Sequence, residues 1–113
     1  MMIETRTEGG VTILEPHGKI TIGEGDVALR DAVHQALDGG AKQLLIDLHR
    51  TTTIDSSGIG ELVAAYTTVK NRGGALKLLN LPPKVHDILQ ITQLVTVFEV
   101  FDDEVDALMS FQS

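Results

Sequence analysis

Short aliphatic and β-branched runs alternate with stretches of helical periodicity along the whole chain. Ile3 to Thr7 and Val11 to Leu14 flank Glu8-Gly9-Gly10, where glycine permits the positive φ of a tight turn, so the pattern predicts an opening hairpin. Pro16 is expected to end its second arm, and Gly18-Lys19-Ile20-Thr21-Ile22 to resume an extended run. From Asp26, the residues Leu29, Val33, Ala36 and Leu37 share one helical stripe, which Gly39-Gly40 closes. Leu44-Leu45-Ile46-Asp47-Leu48 is almost continuously apolar, the mark of a central strand covered on both faces.

After Asp55-Ser56-Ser57-Gly58, a second helix is predicted on Ile59, Leu62, Val63, Tyr66 and Val69, ending at Gly73-Gly74. Leu76 to Leu81 reads as the next buried strand. Pro82-Pro83 breaks it and opens a third helix with Val85, Ile88 and Leu89 inward, since proline's missing N–H is harmless in a first turn. Val97 to Phe101 is the last predicted strand, and a final helix from Asp103 is expected to place Val105, Leu108 and Met109 on one face. The sum is β-β-β-α-β-α-β-α-β-α, an α/β fold with a mixed sheet and about four helices mainly on one side. The crossovers through the second and third helices predict parallel pairing there.

Length and charge narrow the function. A chain of 113 residues is expected to be one domain, 1–113, with no linker or internal repeat. Cysteine is absent, which removes disulfides, thiolate metal sites and cysteine nucleophiles. Nine Lys and Arg against sixteen Asp and Glu leave a formal charge of -7, the wrong sign for gripping nucleic acid or an anionic membrane. No apolar run approaches a membrane span, and the charged N-terminus lacks a signal-peptide core, so a cytoplasmic protein is expected.

Chemistry concentrates in Thr51-Thr52-Thr53-Ile54-Asp55-Ser56-Ser57-Gly58-Ile59-Gly60-Glu61, a run of hydroxyls leading into a helix. Gly58 and Gly60 cost about 1 kcal/mol each relative to alanine inside a helix, so a close backbone approach is expected to require them. Free N–H groups and the positive end of the macrodipole make the turn hospitable to a phosphate on Ser56 or Ser57. The plainer alternative is a serine serving as N-cap. Gly58-Ile59-Gly60 lacks the GxGxxG and P-loop patterns, and GxSxG is missing. His17, His34, His49 and His86 lack the i, i+4 pairing of a zinc helix, so no metal site and no cofactor is expected.

Asp55-Ser56-Ser57-Gly58-Ile59-Gly60, between the Leu44 to Leu48 strand and a helix, Gly73-Gly74 and the Leu76 to Leu81 strand, resembles the STAS domain of bacterial anti-sigma factor antagonists. The resemblance covers nearly the whole chain. It implies a phosphoprotein switched at Ser56, with Asp55, Ser57 and Gly58 shaping the loop and no catalytic residue of its own. It implies as partners an anti-sigma factor that is a serine kinase of the histidine-kinase ATPase type, whose capture frees a sigma factor, and a PP2C-type phosphatase that resets the switch. Thr21 stands where many family members carry an acidic residue. Thr21, Gly23 and Glu24, together with Ile59 and Glu61, are the candidate partner contacts. Two other readings stay open: a STAS module of a signalling scaffold or lipid-transport accessory complex, and a small nucleotide-binding protein or enzyme using the Ser56-Ser57-Gly58 turn.

Overall fold

The computed structural model describes residues 1–112. Its elements run β1 (Met2–Glu8), β2 (Val11–Ile20), α1 (Gly25–Asp38), β3 (Gln43–Asp47), β4 (Thr51–Ile54), α2 (Ser56–Asn71), β5 (Ala75–Leu79), α3 (Pro83–Ile91), a 3-10 turn (Leu94–Thr96), β6 (Val100–Phe101) and α4 (Glu104–Ser110). The sheet has the order β1-β2-β3-β5-β6, with β4 joining the far end of β2. Among the described residues only β1 and β2 pair antiparallel; β2 with β3, β3 with β5 and β5 with β6 are parallel, as helix-bearing crossovers dictate. β3 is thus central, and Leu44, Leu45 and Ile46 are fully buried.

Alternation along the strands feeds two cores. Leu14, Leu44 and Ile46 point to the larger one, which α1, α2 and α3 cover with Leu29, Val33, Leu62, Val69, Val85 and Leu89. Val11, Ile13, Leu45 and Leu79 point the other way, beneath α4. Four expectations change. Pro16 does not end a strand: β2 is continuous through it, and Pro16 lies between the part that pairs with β3 and the part that pairs with β4, where its missing N–H is tolerated. The hydroxyl-rich Thr51–Ile54 segment, absent from the expected element order, is a strand, because the far end of β2 leaves a ladder for it to complete. The predicted Val97 to Phe101 strand shrinks to Val100–Phe101 after the 3-10 turn. On α4 the expected face splits: Leu108 packs against the core, Val105 and Met109 are exposed, and Ala107, with Phe111 just after the helix, faces inward.

Candidate functional site

The far end of β2 carries the site. Both helix starts abut it: an added Cβ at Gly25 would lie 2.1 Å from the Lys19 carbonyl oxygen, and one at Gly58 2.2 Å from that of Ile20. Any side chain at either position would push a helix off the strand. The expected close approach therefore holds at Gly58. It does not hold at Gly60, where a Cβ would meet nothing within 4 Å.

Asp55 organises the turn. It is the N-cap of α2, with its Oδ1 accepting from the Gly58 N–H at 2.9 Å, while Oδ2 accepts from the Ile22 N–H at 2.9 Å. One carboxylate thus caps a helix and ties the loop after β2 to it. These backbone hydrogen bonds, Gly58 first and Ile22 second, hold the Asp55 carboxyl below its ordinary value. The alternative of a serine N-cap is overturned, since Asp55 fills that position and neither the Ser56 nor the Ser57 hydroxyl has a hydrogen-bond partner among the described residues. Ser56 is exposed in the first turn of α2 and Ser57 is half-buried.

The adjoining loop is held from its other side by Asp26, which is buried and accepts from the Gly23 and Val27 N–H groups at 2.9 and 2.7 Å. Thr21 is half-buried, and its carbonyl accepts from the Asp26 N–H at 3.0 Å. Gly23 is exposed with φ +99°, and exposed Glu24 accepts from the Met1 ammonium at 2.6 Å. Ile22 stands 75% exposed between them, a large apolar side chain in solvent.

Thr21, Gly23, Glu24, Asp55, Ser56, Ser57 and Gly58 therefore converge on one end of the molecule. Ile59 does not join them as a contact: it is 6% exposed and packs in the larger core. Glu61 sits further along α2, its Oε1 3.5 Å from Nε of Arg30 on α1. The sequence reading missed Ile22 and Asp26. Asp26 carried a usable signal, an acid at a helix start one residue after glycine; Ile22 carried none, because its exposure follows from the loop's path.

A phosphoacceptor needs a hydroxyl that a partner enzyme can reach, and Ser56 offers one on a rigid helix start. A catalytic serine needs a base in hydrogen-bond contact, and among the described residues neither serine has one while both Asp55 oxygens are engaged.

The STAS domain family model matches residues 2–107. The chain is 25% identical to an anti-sigma F factor antagonist of Paenibacillus polymyxa, over 99% of this chain and 96% of that protein. Its fold is similar to that of an anti-sigma factor antagonist from Mycobacterium paratuberculosis, with a TM-score of 0.85 at 20% identity over 99% and 94% of the two chains. It is similar also to the Bacillus cell fate determinant SpoIIAA in the phosphorylated form, with a TM-score of 0.74 at 18% identity over 96% and 98%. The family match runs from β1 into α4 and so takes in the whole sheet and the serine turn, and the chain belongs to the STAS domain family.

Proposed function

We propose that this chain is an anti-sigma factor antagonist whose partner binding is switched off by phosphorylation of Ser56. The observation that carries the reading is the division of labour at the turn: Asp55 does the capping, which leaves the exposed Ser56 hydroxyl without a structural duty. The relative from Paenibacillus polymyxa supports the regulatory role, and the structure of SpoIIAA in its phosphorylated form supports the chemistry. The unphosphorylated chain binds an anti-sigma factor, a serine kinase of the histidine-kinase ATPase type, and a PP2C-type phosphatase restores that state in the cytoplasm. The chain itself is a regulator and not an enzyme.

Electrostatics give the switch its direction. A phosphate adds about -1.5 to -2 charge beside Asp55, in a chain already at -7. Asp55 already takes the Gly58 N–H, which leaves the helix start fewer donors for a phosphate than the sequence suggested, and a docking partner would have to strip the phosphate of water. A hundredfold loss of affinity needs only about 2.7 kcal/mol. The apolar Ile22 and the bare Gly60 surface lie on the same end and give that partner something to cover.

Affinity capture from the native lysate, comparing wild type with Ser56→Asp, tests this directly. The expected result is a kinase of the ATPase type held by wild type and Ser56→Ala but lost by Ser56→Asp, all three melting alike. Equal capture of some other protein by all three baits would replace the phosphoswitch with a scaffold role.

A further inference from the structure

On the face of the sheet beneath α4, the antiparallel pair β1 and β2 places Glu4 opposite Glu15, with His17 two residues along on the same face. The three side chains converge: His17 Nε2 lies 3.0 Å from Glu15 Oε2 and 3.6 Å from Glu4 Oε2. We propose that Glu4, Glu15 and His17 bind a divalent transition-metal ion of the zinc class. This goes beyond the switch and does not depend on it.

Geometry and donor type both favour it. Bonds of about 2.0–2.1 Å around a tetrahedral ion place neighbouring ligand atoms roughly 3.3 Å apart, and the spacings of 3.0 and 3.6 Å bracket that value. One imidazole with two carboxylates suits zinc, cobalt or nickel better than magnesium or calcium, which take oxygen alone. All three ligands stand on one hydrogen-bonded ladder, so their backbones need not move. Glu15 and His17 are 14% and 21% exposed at the side chain and Glu4 is 59% exposed, which leaves the ion an entry path and room for water.

A neighbouring trio of Glu15, Asp47 and His49 also gathers ligand atoms. Asp47 Oδ1 there already accepts from the His49 N–H and from Asn80 Nδ2 at 3.1 and 3.2 Å, and it lies 2.9 Å from His49 Nδ1, so a metal would have to displace bonds that serve the fold. The Glu4 side carries no such backbone bond. The Arg50 guanidinium and His49 Nδ1 compete for Glu15, each at 3.6 Å; Arg50 is on an exposed side chain that can swing away, and His49 faces the other carboxylate oxygen, Oε1.

Titration of the full chain with zinc chloride by calorimetry, and with cobalt chloride followed by visible absorption, tests the site. One ion per chain is expected, with the intense bands of tetrahedral cobalt. His17→Asn weakens affinity by more than the roughly 10- to 100-fold that loss of an outer-shell partner costs, and Glu4→Gln weakens it too. His49→Asn binds as wild type. No saturable uptake by wild type, unchanged uptake by His17→Asn, or loss of uptake in His49→Asn would each overturn the assignment.

Discussion

Gly58 and Gly60 are two residues apart on the first turns of α2 and face opposite worlds. Gly58 is pressed against the Ile20 carbonyl and the Ile54 side chain, with no room for even a methyl group. Gly60 looks onto open space, on the same exposed side of the helix as Ser56. The first glycine therefore belongs to the fold, because only a bare backbone lets α2 start against β2. The second does nothing for the fold and costs helix stability. Nothing packed against Gly60 within the chain accounts for that cost.

Substitution can break this contrast at its strong end. Gly58→Ala forces a methyl into backbone and is expected to destabilise by about 3 kcal/mol, the upper end of overpacking costs. At about 4 °C or more per kcal/mol, the Tm should drop by roughly 10 °C or more, which calorimetry would register. Asp55→Ala comes next. It releases the Gly58 and Ile22 N–H groups together, so a lower Tm and faster hydrogen exchange at those two amides are expected; unchanged exchange at both would mean the tie is decorative. Because the folded state holds the Asp55 carboxyl below its ordinary value, its contribution is fully present above the unfolded carboxylate range. It is lost as pH falls through the lower folded value, so wild type and Asp55→Ala should converge in stability at acid pH.

Gly60→Ala sharpens the other end of the comparison with the smallest effect. Alanine there should stabilise α2 by about 0.5–1 kcal/mol, since the side chain meets nothing and helix propensity alone decides. Weaker binding of the captured partner in this more stable variant would locate the contact at Gly60. Unchanged binding would confine the interface to Ser56 and the Ile22 loop.

Periodicity made the helices, the central strand and the parallel crossovers legible, because repeated burial leaves a repeated pattern. It failed where a neighbour decided the outcome. Thr51-Thr52-Thr53-Ile54 has β-branched residues but a polar look, and only the unpaired end of β2 makes it a strand. Asn80 ends β5 earlier than the Leu76 to Leu81 run suggests, at φ +57° and with its amide on Asp47. On α4, a helix of 7 residues, two rival stripes exist, and the sheet chose Ala107 over Val105 and Met109. At the serine turn the motif itself was readable. The capping role of Asp55, the hold of Asp26 and the exposure of Ile22 were not, because each depends on where a second segment passes.

By itself the sequence determined the alternation of strand and helix, the aliphatic core and the position of the Ser56 turn ahead of α2, since these follow from local spacing and turn chemistry. Only the tertiary structure decided that Asp55 would join two loops, that Gly58 and not Gly60 would be locked, and that Glu4 would meet Glu15 and His17. Those contacts join residues far apart in the chain, and strand register, which no local pattern encodes, sets their distance.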